Sequence, residues 1–438
     1  MVSSAAMNTH TTTSAAPTFR LWLMMVLEFA IWGAWLPLIW GYMGAAVADG
    51  GLGFTGNQIA WVGSAFAIAS IMGIFFSSQF ADRTFAAERF MAASHFVGGL
   101  AILALYWVRD FRTFFSLMLV HAILYVPTIS VSNSIAFTHM KNAQKEFGLV
   151  RMGGTIGWIL AAWPLYFVLQ GKTGAAAVAA SRTIFLVAGI TSLALAAYSL
   201  TLPHTPPKKT ARGAEGFAWL KATGFLSYPY LLVLFAVTFI DAVIHNGYFV
   251  MAADFLGSKT VGIKPEWIMP VMSIGQVAEI ATMAVLGGVL AKLGWKTTMI
   301  LGILGHAARF AVFAFLPQNQ AVIIAVQVLH GICYAFFFAT LYIFIDAAFP
   351  KDVRASAQSL FNLLVLGLGD LAAKWLFIPL QSRLTTDGVV DYRQLFLVPT
   401  FMALAAAGLL LVAFWPPKWL ASGSEVEDDR ETEPQIVA

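Results

Sequence analysis

Charge is scarce in this chain. Of its 438 residues only 11% are Asp, Glu, Lys or Arg, against roughly 25% in an ordinary soluble domain, so a water-soluble globular protein is excluded. Cysteine is almost absent: Cys333 stands alone in an apolar run, which removes both a disulfide framework and a cysteine-based metal site. There is no Gly-x-x-x-x-Gly-Lys-Ser/Thr phosphate loop, no His-Glu-x-x-His and no Gly-x-Ser-x-Gly. ATP-driven transport and common hydrolase chemistry therefore lack their motifs. The expectation is a non-enzyme with no cofactor and no metal, driven by an ion gradient. A basic leader is missing too: Met1 to Thr18 is polar, and the apolar stretch Leu21 to Tyr42 is too long for a signal h-region and carries Glu28. It reads as an uncleaved first span.

Hydrophobic residues are abundant, 59% of the chain. With about 20 apolar residues per spanning helix, the apolar runs near 20–42, 57–79, 90–108, 113–133, 150–169 and 183–202, then 230–254, 267–290, 298–316, 320–347, 355–380 and 394–415, predict an all-α membrane protein of 12 transmembrane helices. These fall into two pseudo-symmetric six-helix bundles, 1–202 and 227–418, joined by a cytoplasmic linker at 203–226 that holds Pro206-Pro207-Lys208-Lys209 and followed by a disordered acidic tail at 419–438. Lys and Arg divide 15 to 8 between the two sides, which places both termini in the cytoplasm. That use of the basic residues as topology markers leaves no call for a nucleic-acid partner. The lipid bilayer is the expected surroundings, and the chain is expected to act as a monomer.

Charged side chains at the bilayer centre cost about 2.5–3.5 kcal/mol each on insertion scales, so Glu28, Arg151, Asp241, Glu279, Arg309, Asp370 and Lys374 must face one another or a water-filled cavity. Helical spacing sorts them. Glu28, Trp32 and Trp35 share a stripe of the first span; Arg151, Thr155 and Trp158 share one of the fifth. Asp241 and His245 are i, i+4 with Asn246 beside them, Gln276 and Glu279 are i, i+3, and Asp370 and Lys374 are i, i+4. His306 and Arg309 lie in the ninth span, and Gln327, His330 and Tyr334 in the tenth. Arg309 is placed to pair with Asp241 or Glu279, and Asp370 with Lys374. An arginine, a hydroxyl and an aromatic face on one stripe suit a polar ligand with a ring-shaped surface.

Two loops occupy the same place in each half, Ser78-Gln79-Phe80-Ala81-Asp82-Arg83 after the second span and Gly287 to Lys296 after the eighth. They resemble degenerate copies of the Gly-x-x-x-Asp-Arg-x-Gly-Arg-Arg loop of the major facilitator superfamily. Leu27 to Leu36, Arg151-Met152-Gly153-Gly154-Thr155-Ile156-Gly157-Trp158, Ser273 to Glu279, Arg309-Phe310-Ala311 and Arg354-Ala355-Ser356-Ala357-Gln358 are similar to segments of the nucleoside:proton symporter family within it. That resemblance implies a major facilitator fold rocking about a central site, and carries ligand positions onto Arg151, Thr155, Asn246, Gln276 and Glu279. The expected function is proton-coupled import of nucleosides across a bacterial cytoplasmic membrane.

The resemblance has departures. Val243 stands where bacterial nucleoside symporters can carry Gln, and Ala335 where they can carry Asp. Trp158 replaces a usual phenylalanine, and Phe147-Gly148 through Trp158 is similar to the fifth span of lactose-permease-like symporters, so an oligosaccharide or hexose is the alternative substrate. The substrate-binding set is Arg151, Thr155, Trp158, Asn246, Gln276, Glu279, Trp32 and Tyr334. Glu279 is the first choice for the coupling proton, with Glu28, Asp241, Asp370 and Arg309 as further candidates.

Overall fold

A computed structural model describes residues 16–140, 143–207, 223–349 and 354–417. The polar N-terminus, the middle of the expected linker and the acidic tail lie outside the described residues. Helices α1 (Ala16–Trp35), α2 (Ile39–Gly44), α3 (Gly56–Thr84), α4 (Ala87–Ala104), α5 (Phe111–His139), α6 (Ala143–Leu160), α7 (Ala162–Leu169), α8 (Gly174–Ser181) and α9 (Thr183–Ser199) form the N-terminal half. The C-terminal half holds α10 (Pro229–Gly257), α11 (Pro265–Phe315), α12 (Gln320–Ala325), α13 (Val328–Cys333), α14 (Thr340–Ala348), α15 (Arg354–Asn362), α16 (Gly369–Arg383) and α17 (Tyr392–Ala413). Nine helical stretches among the described residues are long and apolar enough to cross a membrane. One of these is the 51-residue α11, broken at Gly294, whose φ of 69° and ψ of 175° leave helical geometry.

Both loops expected from the sequence are shorter than they read. Helix α3 runs on through Ser78–Arg83 to Thr84, and α11 stays helical through 287–293, the turn being confined to Gly294. Backbone polar groups near a bilayer must be satisfied internally, so the helices persist to their ends and a glycine takes the positive φ that other residues avoid. Elsewhere the ends are marked by side chains. Thr55 and Gln58 form a reciprocal capping box at α3, Asp110 accepts from Thr113 N–H at α5, and Asn319 accepts from Val322 N–H at α12. Pro229 and Pro265 open α10 and α11, where a missing N–H costs nothing.

Close helix packing explains one glycine motif. A Cβ at Gly153 would stand 2.6 Å from the Trp22 carbonyl oxygen, one at Gly154 2.8 Å from the Phe29 ring, and one at Gly157 would overlap the Val26 carbonyl. The small face of α6 thus lets α1 approach backbone to backbone, as small residues do between membrane helices. This seats the Arg151, Thr155, Trp158 stripe beside the stripe of α1. In the other half Gly331 is pressed against the backbone of Glu279, and Gly275 against His330, which fixes α13 onto α11 at the level of Glu279.

The tenth and eleventh predicted spans are interrupted by π-helical turns, Tyr334–Ala339 and Leu363–Leu368. Such turns are rare and frequent at functional sites. A two-residue Asp387-Gly388 turn, both at positive φ, closes a small hairpin of Thr385–Thr386 and Val389–Val390.

Candidate functional site

A cavity of about 580 Å³ opens between the two halves. Its N-terminal wall is aromatic: Phe29, Trp32, Trp35, Trp40, Phe66 and Trp158. Trp32 stacks on Phe66 at 4.7 Å and meets Trp158 edge-on at 5.6 Å; Trp158 in turn meets Phe249 of the other half at 5.6 Å. The Arg151 guanidinium lies 4.2 Å from the centre of the Phe29 ring. The C-terminal wall is polar, with His245, Asn246, Gln276, Glu279, His330 and Tyr334.

All eight residues expected to bind substrate line this one cavity: Trp32, Arg151, Thr155, Trp158, Asn246, Gln276, Glu279 and Tyr334. Their hydrogen bonds indicate which atoms face inward. Asn246 Nδ2 donates to the carbonyls of Ala242, 2.9 Å, and Val365, 3.0 Å, and so leaves its side-chain oxygen as the group available to a ligand. Trp32 Nε1, Trp35 Nε1, Trp40 Nε1, Asn133 Oδ1, His245 Nδ1, Gln276 Oε1 and Asp370 Oδ2 are buried without a partner, and every one belongs to a lining residue. Buried polar atoms are normally paired. Three indole donors and four acceptors are thus left open around a ring-lined space.

The residues expected to handle the proton separate into three places. Glu279 and Asp370 line the cavity; Glu279 lies within electrostatic reach of Arg151, and Asp370 is ion-paired with Lys374 as expected. Glu28 does not share the cavity with Trp32 and Trp35. Its carboxylate is turned into the N-terminal half, bonded to His95 Nε2 and Thr128 Oγ1 at 2.8 Å each, because α4 and α5 supply those partners on that side of α1. Asp241 and Arg309 are fully buried behind the C-terminal wall. Arg309 bonds neither Glu279 nor Asp241 directly: its guanidinium donates to His330 Nδ1 at 2.7 Å and His306 Nδ1 at 3.2 Å.

Spacing did not single out several cavity residues. His245 and His330, stacked at 5.1 Å, were read as members of polar stripes without a role. Phe249, Asn133, Tyr342 and Asn362 were not picked out at all, the last two joined by a 2.6 Å hydrogen bond. Val243 and Ala335, the two departures from the family pattern, are buried and absent from the lining, so the missing polar groups leave no gap in this wall. A second cavity of about 630 Å³ lies beyond Trp40, which lines both chambers.

The helical architecture with a cavity between its halves is shared with solved membrane transporters. A solved D-xylose–proton symporter superposes with a TM-score of 0.69 over 91% of this chain and 98% of that one, at 14% identity; the nucleoside transporter NupG does so with a TM-score of 0.79 over 91% and 99%, at 21% identity. The family model described as Nucleoside H+ symporter matches residues 16–418, and the chain belongs to that family. Among its relatives, the putative nucleoside transporter YegT of Escherichia coli K12 is 30% identical over 359 residues, 81% of this chain and 82% of that protein. The xanthosine permease of the same strain is 28% identical over 414 residues, covering 90% and 95%.

Proposed function

We propose that this chain imports nucleosides across a bacterial cytoplasmic membrane together with protons, by alternating access around the central cavity. The observation that carries the reading is the convergence of Arg151, Thr155, Trp158, Asn246, Gln276 and Glu279 on one space beside Trp32 and Tyr334. The base lies against the indoles of Trp158 and Trp32, as bases stack on aromatic faces. Asn246, Gln276, Tyr334 and Arg151 bond its polar edge and the ribose hydroxyls. The helices make twelve spans in two six-helix bundles, residues 1–202 and 227–418, with both termini in the cytoplasm, and the unit of transport is the monomer in the bilayer. The linker at 203–226 joins the bundles.

Glu279 is the proton site that meets the substrate. It sits across the cavity from α6 with Arg151 in electrostatic reach, so a rocking motion that separates the two changes the charge Glu279 must balance. Trp40, with Lys374 Nζ 5.8 Å from its ring centre, lines both chambers and stands between them.

Uptake of labelled uridine and xanthosine into proteoliposomes with an inward proton gradient tests the reading, with hexoses and disaccharides as competitors. Uptake blocked by nucleosides and collapsed by a protonophore is the expected result. Gradient-driven uptake of a sugar, with none of either nucleoside, overturns it.

A further inference from the structure

The buried polar groups of the two halves follow one plan. Glu28, His95 and His121 recur as Asp241, His306 and His330, 213, 211 and 209 positions on. In the N-terminal copy both carboxylate oxygens of Glu28 are bonded, His95 Nδ1 is held by Ser192 at 3.2 Å, and His121 Nδ1 donates to the Gly98 carbonyl at 3.0 Å, only His121 Nε2 being buried without a partner. None of the three lines the cavity.

The C-terminal copy has lost its hydroxyls and gained a guanidinium. Phe337 and Ala403 stand 209 and 211 positions after Thr128 and Ser192, and Arg309 stands 211 after Gly98. Neither oxygen of Asp241 has a hydrogen-bond partner; the nearest basic atom recorded is His306 Nε2, 3.6 Å from Oδ2. A guanidinium only donates, so both His306 and His330 accept from Arg309 at Nδ1 and keep their proton on Nε2. His306 therefore turns an N–H toward Asp241. His245, one helical turn along α10 from Asp241, stacks on His330 and lies 5.7 Å from His306. Its Nδ1 is unpartnered, and it lines the cavity.

We propose that Asp241, reached from the cavity through His245, is a second proton-binding site, with Arg309 as its fixed counter-charge. The proposal rests on the proton-coupled reading above and adds to Glu279 a store behind the cavity wall. A proton from cavity water enters the His245 imidazole, which lines the cavity, and leaves it for a carboxylate oxygen of Asp241; release reverses the two transfers, and no other bond changes. Gaps beyond 3.5 Å between such groups are the kind that a water bridges. His306 and His330 are positioning residues, because taking a proton at Nδ1 would displace Arg309. The other charged or titratable groups around the site are Tyr248, whose hydroxyl donates to Gln327 at 2.8 Å, Tyr334, whose ring lies 6.0 Å from that of His245, Cys333, and, from α16, Asp370 and Lys374, which pair with each other.

The test compares gradient-driven accumulation with counterflow in proteoliposomes, since counterflow moves no net proton. For Asp241→Asn the ratio of accumulation to counterflow falls about tenfold, within the roughly 5–150-fold range of coupling between sites, and its pH dependence flattens. A ratio and pH profile equal to the parent's overturn the proposal. Should Asp241→Asn yield no folded protein, His245→Gln gives the same ratio test with the same two outcomes. Counterflow of uridine or xanthosine by the unaltered protein tests the substrate reading separately. If neither nucleoside moves, proton uptake by the purified protein after an acid pulse still decides the site: smaller for Asp241→Asn than for the parent supports it, equal uptake overturns it.

Discussion

The two halves carry a carboxylic acid and two histidines at matching positions and use them differently. In the N-terminal half Glu28 is enclosed by donors, His95 and Thr128 at 2.8 Å, and has no opening to the cavity. In the C-terminal half Asp241 keeps both oxygens unpaired while imidazoles connect it to the cavity wall. A satisfied buried network stiffens a bundle, whereas an unsatisfied one is costly unless something mobile completes it. The cavity is uneven too: its N-terminal wall carries all four tryptophans together with Arg151 and Thr155, and its C-terminal wall carries His245, Asn246, Gln276 and Glu279.

The largest effect expected from this contrast is on stability. Replacing Glu28 with Ala strands His95 and Thr128 inside the protein, and breaking a buried pair from one side costs about 3–5 kcal/mol. Asp241→Asn breaks no hydrogen bond, and although it removes the counter-charge of Arg309, that guanidinium keeps its bonds to His330 and His306. Thermal unfolding in detergent should lower the midpoint far more for Glu28→Ala than for Asp241→Asn. Equal shifts would remove the distinction between a closed and an open network.

Packing supplies the next test. A Cβ at Gly157 meets the carbonyl of Val26, a backbone atom that cannot step aside, whereas one at Gly247 meets the ring of Phe377. Overpacking typically costs about 1–3 kcal/mol. Gly157→Ala should fall at the upper end of that range and Gly247→Ala at the lower, read from the same unfolding curves. The reverse order would mean that the α1–α6 contact yields more readily than an aromatic side chain.

Much of this arrangement was legible in the residues alone. Apolar run lengths anticipated a helical membrane protein, of which nine stretches among the described residues are long and apolar enough to span, and helical spacing placed Arg151, Thr155 and Trp158 on the face that meets the cavity. Spacing along one helix could not tell which way a stripe turns within a bundle. Glu28 shares its stripe with Trp32 and Trp35, yet partners on α4 and α5 draw it away from them. For the same reason Arg309 was expected opposite a carboxylate, when the groups within its reach are His306 and His330. The glycines of α6 were visible as a motif; that they let α1 touch backbone became clear only from the packing. The π-helical turns at Tyr334–Ala339 and Leu363–Leu368 leave no periodic signal, because one extra residue per turn does not disturb an already apolar run.

The contrast between the walls predicts different substrate effects. Trp158→Ala removes a stacking face worth about 1–3 kcal/mol per base, and should weaken binding of purine and pyrimidine nucleosides alike. Gln276→Ala removes a hydrogen-bonding group worth about 0.5–1.5 kcal/mol, and should alter the preference among nucleosides instead. Titration of intrinsic tryptophan fluorescence with uridine and xanthosine reads both. A Trp158 variant that discriminated between the two nucleosides while the Gln276 variant did not would invert the assignment of face and edge.

The smallest effect separates the halves by pH. Asp110 caps α5 and Asn319, 209 positions later, caps α12 in the same manner. The backbone N–H of Thr113 bonded to Asp110 holds that carboxyl below its ordinary value of 3.8. A depressed carboxyl contributes stability that is present above the unfolded value and is lost as pH falls through the folded one. Asp110→Ala should therefore speed hydrogen exchange at the Thr113 amide near neutral pH and make progressively less difference as the pH drops below about 3.8. Asn319 has no charge to lose. Asn319→Ala, which removes a cap worth about 1 kcal/mol, should speed exchange at Val322 by the same factor at every pH. Parallel pH dependence at the two amides would mean that acid loosens the whole bundle, and that the charge on Asp110 is not what sets its end of α5.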